Sequence, residues 1–315
     1  MIGEELLRAV RVETRRRLYA EVAEVAERAS PRRSTADLRE IDVLIEDGRK
    51  LLLMLKSASA TAPVSRPHLV HDPHREPLTY LRVLEGAGLD TPELWGLRLG
   101  GGSSLLIERV PGVTLSEARS LDAWRAAARW LARLHSGLTA RGRRNARRAR
   151  LLVAGAEGHR LWLARARDLV DDPRMEPLAA AHPAVVRGLG RLPRAFVHGE
   201  LYPANVIVED ASHGMRVRVI DWETAGLGPG LMDLAALTSG DWPDPATRRA
   251  VAFAYRDEAP DWRGVDDASF MRALDLCAVQ VAIGWLGWSA EWSPPAQHAF
   301  DWLSSALEAV ERLGL

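Results

Sequence analysis

Cysteine and lysine are scarce in this chain. A single cysteine, Cys277, stands in 315 residues, which excludes an internal disulfide framework and an all-cysteine metal cage. Lysine occurs only as Lys50 and Lys56 among 42 basic residues. In a chain that otherwise uses arginine, a lysine marks a place for a compact ammonium on a flexible stem, which arginine's planar fork does not replace. Long apolar runs are missing too. Leu51–Leu55 ends in charge at Lys56, and no run approaches the ~20 residues of a membrane-spanning helix. The N-terminus, MIGEELLRAVRVETRRR, has acids at once and no apolar stretch before a small-residue cleavage site, so no secretory signal is expected. Net charge is absent, because 42 basic and 42 acidic residues cancel, and no overall field draws nucleic acid or an anionic membrane. These absences predict a cytoplasmic protein with neither of those partners, and the length suggests roughly two domains.

Periodicity divides the chain. The first thirty residues read as one helix, with Leu6, Leu7, Val10, Val12, Leu18, Val22 and Val25 near one face, broken at Ser30-Pro31. Ile41–Ile45 and Leu51–Lys56 around Asp47-Gly48 read as a hairpin. A helix is predicted from Glu76 to Ala87, closed by Gly88, and a second hairpin from 94–99 and 105–107 around Gly100-Gly101-Gly102. After Arg109-Val110-Pro111-Gly112, helical spacing dominates: 121–134, 155–170, 265–290 and 296–313. One strand-like segment interrupts it, 196–208 followed by 217–220. The reading is an α+β chain with a strand-rich unit over 1–108, a linker at 109–113 and a helical unit over 114–315.

The chemistry concentrates in FVHGELYPANVIVEDASHGMRVRVIDWETAGLGPGLMDLAAL, from residue 196. A hairpin of Val206–Val208 with Val217–Ile220 brings Asn205 and Asp221 together at its open end. An amide oxygen beside a carboxylate makes an oxygen-only site, suited to Mg²⁺ that keeps waters and takes further ligands from phosphates. Glu200, on the loop five residues before Asn205, is placed to orient and deprotonate a hydroxyl.

This segment resembles the catalytic and metal-binding stretch of the aminoglycoside phosphotransferase/choline kinase family, relatives of the protein kinases. The resemblance rests on His198-Gly199-Glu200, Asn205, Ile220-Asp221-Trp222 and Gly228 to Asp233-Leu234-Ala235, and extends to Leu131–His135, to LLIERVPGVTL at 105–115 and to Thr91-Pro92. It implies a two-lobed protein-kinase-like fold that moves the γ-phosphoryl group of ATP or GTP, with Mg²⁺, to a hydroxyl of a small molecule such as an aminoglycoside or amino sugar. Alternatives are a Ser/Thr of a natural-product precursor peptide as acceptor, or a nucleotide-binding pseudo-kinase scaffold. The implied roles are as follows. Lys56 contacts the α/β-phosphates, and Glu76, preferred to Glu85, holds it. Asp221 and Asn205 bind the metal, and backbone groups from Glu108 to Val110 hold the adenine. His198 supports the catalytic loop and Asp233 anchors it. Two departures stand out. Glu200 replaces the family's catalytic aspartate, and the segment 31–36 lacks the glycines of a phosphate-covering loop, leaving Ser34 and Thr35 for that task.

Other conspicuous residues have plainer readings. Gly100-Gly101-Gly102 reads as a hairpin tip, and His68, His71 and His74 with Asp72 as a surface loop. The stretch RGRRNARRAR (141–150) reads as a solvated face. Glu223 is expected to make a structural hydrogen bond, with a third acid near the metal as the alternative, and Cys277 to pack. Trp285, Trp288, Trp292 and Trp302 read as core, with an acceptor cleft as the alternative.

Overall fold

Apolar residues at alternate positions, Ile41, Val43 and Ile45, give one segment a fully buried face, and Asp47-Gly48 turns the chain back along it. In the computed structural model, which describes residues 4–30, 36–61, 70–211, 214–240, 244–288 and 300–315, this hairpin is the centre of the first lobe. A helix α1 (Glu4–Leu18) leads into strands β1 (Val22–Ala29), β2 (Asp37–Ile45) and β3 (Lys50–Ala58). Helix α2 (Arg75–Thr79) runs on as a π turn over Tyr80–Leu84. Strands β4 (Leu94–Leu99) and β5 (Ser103–Glu108) complete an antiparallel sheet of order β1-β2-β3-β5-β4. Leu105 and Ile107 of β5 face the main core, whereas Leu106, with Leu53 and Trp95, packs beneath Val10 of α1.

The single helix expected over the first thirty residues is instead a helix and a strand. Three arginines fill the last turn of α1, which favours a helix C-terminus, and Tyr19 adopts φ 52°, which ends it. The apolar spacing beyond misled because β1 carries a register shift between Val22 and Glu24. An extra residue in a strand converts the two-residue spacing into the three of Val22 and Val25, a helical signature in a bulged strand. The helix predicted to Ala87 stops at Leu84; Gly86 and Gly88 both have positive φ in the turn that follows.

The second lobe begins with β6 (Val113–Thr114), α3 (Leu115–Ala118) and the long α4 (Leu121–Asn145). Next come β7 (Leu152–Val153), α5 (Ala156–Leu169), α6 (Met175–Leu189) and β8 (Arg194–Val197). The hairpin β9 (Val206–Ala211) with β10 (Gly214–Val219) and the short β11 (Gly226–Pro229) follow, then α7 (Leu231–Leu237), α8 (Pro245–Glu258), α9 (Asp267–Leu286) and α10 (Trp302–Leu313). Two small sheets, β10-β9-β6 and β7-β11-β8, frame the loops that carry the conspicuous polar residues. Asp244, Asp266 and Asp301 cap α8, α9 and α10 by accepting backbone N–H groups of the first turn. Helices α6 and α8 were not singled out by periodicity, and α4 runs beyond the predicted 134 into the arginine-rich stretch. Helix α9, 20 residues long, is long and apolar enough to cross a membrane by length and composition alone, although Asp267, Arg272 and Asp275 interrupt its apolar run. Phe270, Cys277 and Ile283 on it are wholly buried in the main core.

Arginines 141–150 do more than face solvent. Arg141 donates to the carbonyls of Arg82 and Glu85, closing the end of the π turn, and Arg143 donates to Arg194 O. Glu85, the alternative partner of Lys56, follows the end of that π turn, and the ion pair of Lys56 is made with Glu76 instead.

Candidate active site

Lys56 lies on β3 opposite Leu38 and Leu105, in the middle of the sheet. Its Nζ reaches Glu76 Oε2 at 2.6 Å on α2, the Asp221 carboxylate just after β10, and Glu223 Oε2 at 3.4 Å. Glu76 is buried, and its other oxygen accepts the backbone N–H of Trp222 at 3.1 Å. One carboxylate therefore joins the lysine of the first lobe to the 221–224 loop of the second. Burial alone works against a charge on Lys56, but Asp221, Glu76 and Glu223 outweigh it and hold the ammonium well above its ordinary value. Burial acts on Glu76 in the opposite sense, raising its carboxyl to about 7 despite Lys56, with Asp221 and Glu223 adding to the rise.

Carboxylate oxygens of Glu76, Asp221 and Glu223 lie within 4.8 Å of one another. Three acids around one ammonium leave this cluster short of positive charge, and hard oxygen donors in that state suit a divalent cation. Glu76 is already taken on both oxygens by Lys56 and the Trp222 N–H. Asp221 and Glu223 are the carboxylates that fit. Asn205 Nδ2 donates to Glu200 O at 2.9 Å, and Asn205 O accepts from Ile220 N at 3.0 Å, which ties it to the residue before Asp221. Asp221 itself has φ 70°, a left-handed conformation that aspartate tolerates better than most residues.

The loop holding Glu200 is anchored from below. Asp233, 1% exposed near the start of α7, accepts the N–H groups of His198 and Gly199 at 2.7 and 2.9 Å. His135 Nε2 lies 3.3 Å from the same carboxylate and its Nδ1 2.8 Å from Tyr255 OH, extending the anchor into α4 and α8. His198 Nε2 is 2.9 Å from Ile220 O, so that nitrogen carries the proton, and Nδ1 accepts from Glu200 N at 3.2 Å. Burial lowers the pKa of His198, in keeping with a neutral ring that braces both loops. Gly199 has φ +91°, and a Cβ there would lie 2.5 Å from Thr224 O; only glycine lets the two loops approach this closely.

The other expected residues fall as follows. Glu108 ends β5, its N–H donates to Glu93 O, and its carboxylate pairs with the buried Arg218 of β10. Val110 follows Arg109, whose N–H donates to Leu52 O at 2.9 Å. Ser34 and Thr35 lie outside the described residues, as do His68, Glu291 and Trp292. Gly100 N bonds Gly102 O as a hairpin tip, and His71 and His74 face backbone carbonyls of Ser59, Gly100 and Gly102. Trp285 stacks on Trp302 at 5.1 Å, with Tyr202 edge-on to both, and Trp162 stacks on Trp288. Clefts of about 730 and 670 Å³ share Asp90 and Arg216, which pair across the lobes. Neither of these two clefts is lined by Lys56, Asn205 or Asp221; the convergence of side chains is what marks the site.

Two residues at the site have larger parts than their sequence context suggests. Glu223 contacts Lys56 and has more than the structural role expected of it; its spacing of two from Asp221 on an extended segment was the available clue. Arg75, 5% exposed, was one arginine among many. It donates to Val70 O (2.6 Å), Glu223 O (2.7 Å) and Arg150 O (2.8 Å), so adjacent residues of α2 grip the 221–224 loop. Replacing Arg75 by Met leaves these carbonyls without that donor, and a destabilisation of about 3 kcal/mol is expected. Urea unfolding measures it; a midpoint shift worth under ~1 kcal/mol contradicts the staple.

Comparison with known proteins agrees with this geometry. A family model described as the phosphotransferase enzyme family matches residues 28–267. Viomycin phosphotransferase of Streptomyces vinaceus is 31% identical over 200 residues, covering 55% of this chain and 69% of that protein. Among solved structures, an ethanolamine kinase of Plasmodium vivax superposes with TM-score 0.61 at 13% identity, covering 92% of this chain and 82% of that one. A choline kinase of Streptococcus pneumoniae gives 0.57 at 16% identity, covering 99% of each. These structures share the two-lobed kinase-like fold.

Proposed function

Since the chain belongs to the phosphotransferase enzyme family, whose members act on hydroxyl acceptors, we propose that it moves the γ-phosphoryl group of ATP or GTP to a hydroxyl of a small antibiotic or amine-bearing metabolite. The observation that carries this reading is the meeting of Lys56 and Glu76 with Asp221 and Glu223 across the lobes, beside the Glu200–Asn205 loop.

In this reading residues 109–113 form the hinge, and backbone groups between Glu108 and Val110 hold the purine. Lys56, aimed by Glu76, contacts the α/β-phosphates, a task for a flexible point charge. Asp221, Asn205 and Glu223 would hold Mg²⁺, which would supply neutralisation of the phosphate charge. Glu200 accepts the proton of the acceptor hydroxyl. The acceptor oxygen forms the new O–P bond while the bond from γ-phosphorus to the β–γ bridging oxygen breaks, its electron pair leaving with the nucleoside diphosphate. His198 and Asp233 keep Glu200 and Asn205 in register without touching the reacting atoms.

The relative's name makes viomycin the first acceptor to try. Protein incubated with Mg²⁺ and γ-labelled ATP or GTP is expected to label at least one of a panel of viomycin, aminoglycosides, ethanolamine, choline and a serine peptide. Absence of label on every acceptor, with no nucleotide consumed, counts against the proposal.

A further inference from the structure

The backbone of Glu200 is held at both ends. Its N–H donates to His198 Nδ1, and its carbonyl accepts from Tyr202 N at 2.7 Å and from Asn205 Nδ2 at 2.9 Å. Those bonds fix where the side chain starts and leave its three rotatable bonds undetermined. A base needs its oxygen within hydrogen-bond reach of one hydroxyl, and an error of about 1 Å can cost ~100-fold. A further contact has to aim the carboxylate.

Thr224 makes it. Its Oγ1 lies 3.2 Å from Glu200 Oε2, and the residue is 6% exposed, three positions after Asp221. The same hydroxyl lies 3.2 Å from His198 O. It has one proton for two acceptors, and a bond to a charged carboxylate is roughly twice as strong as one to a neutral carbonyl, so the carboxylate takes the larger share. The threonine is held in place by its own surroundings: its carbonyl and hydroxyl lie against Gly199, where any Cβ would meet them at 2.5 and 2.9 Å. Metal loop and base loop are thus in contact at the residue that reaches the base.

We infer that Thr224 is a positioning residue for the Glu200 base: its hydroxyl bonds Oε2 and thereby helps set where the carboxylate points. This links the aim of the base to the loop that carries Asp221 and Glu223, so loop displacement costs base alignment as well as cation binding. The inference rests on Glu200 acting as the base.

The test compares Thr224→Val, which keeps shape and loses the hydroxyl, with Thr224→Ser, which keeps the hydroxyl, each in wild-type and Glu200→Ala backgrounds. In the wild-type background Thr224→Val is expected to lower kcat ~10-fold with nucleotide KM unchanged, and Thr224→Ser to restore most of kcat. Independently of turnover, Thr224→Val is expected to lower the Tm by about 2 °C more in the wild-type than in the Glu200→Ala background. Equal Tm losses in the two backgrounds, or a kcat loss that serine does not restore, overturn the inference. A wild-type protein that consumes no nucleotide counts against the proposed function, while the paired Tm comparison still decides the contact.

Discussion

Asp221→Asn is expected to lower kcat/KM for phosphotransfer by at least ~10³-fold, roughly 4 kcal/mol of transition-state stabilisation. Asparagine preserves the shape and tolerates the left-handed backbone at φ 70°, so the change removes charge with little added strain. The loss falls on the least replaceable donor. Glu76 is occupied by Lys56 and by the Trp222 N–H, and Glu223 lies at 3.4 Å from the lysine on the same short loop. Folding feels two opposed effects: Asp221 is the strongest of the charges that stabilise the buried Lys56 ammonium, so its loss weakens that pair, while it is also among the carboxylates that push Glu76 up, so its loss relieves like-charge crowding. Glu76 and Glu223 remain to pair Lys56, and the variant is expected to fold and to lose the Tm rise that Mg²⁺ with nucleotide gives the wild type, each protein being compared with its own Tm in buffer. Turnover above a tenth of wild type is the result that removes Asp221 from the site.

Glu200→Gln carries the second-largest effect, a fall in kcat of ~10²–10⁴-fold with nucleotide affinity unchanged. Glutamine keeps the length and one acceptor oxygen but has little basicity, so the acceptor proton has nowhere to go. Binding is spared because the nucleotide contacts are assigned to Lys56, the hinge and the cation donors, none of which bonds the Glu200 carboxylate in the contacts described above. Glu200→Asp complements it: the base remains but is one methylene shorter, and the Thr224 hydroxyl at 3.2 Å is no longer within its reach. A loss smaller than that of glutamine, of roughly 10–100-fold, is expected for this variant. Nucleotide titration and single-turnover transfer separate the two steps. A Gln variant that turns over at the wild-type rate assigns the proton to another group.

Much of this site was legible in the residues because its chemistry is local in sequence. Asn205 and Asp221 sit at the open end of one hairpin, and antiparallel pairing of Val206 with Val219 brings its ends together whatever surrounds them. Asp233 is near the start of a short helix, and the backbone N–H groups it accepts belong to one tight turn. Two lysines in an arginine-rich chain made Lys56 conspicuous before any contact was known. The reading failed where one spacing suits two structures, as at Val22 and Val25 in a bulged strand, and where a helix such as α8 lies between stronger signals.

Sequence alone pointed to a strand-rich stretch before a helical one and put Asn205 and Asp221 at the open end of one hairpin, because periodicity and hairpin geometry act over a few residues. Tertiary structure decided that Glu223 shares Lys56, that Arg75 bonds the loop 148 residues away, and that Thr224 reaches Glu200. Those contacts are made by side chains on separate loops or lobes. Packing brings them together, and no short-range pattern records which arginine or threonine among many ends up buried against a particular carbonyl or carboxylate.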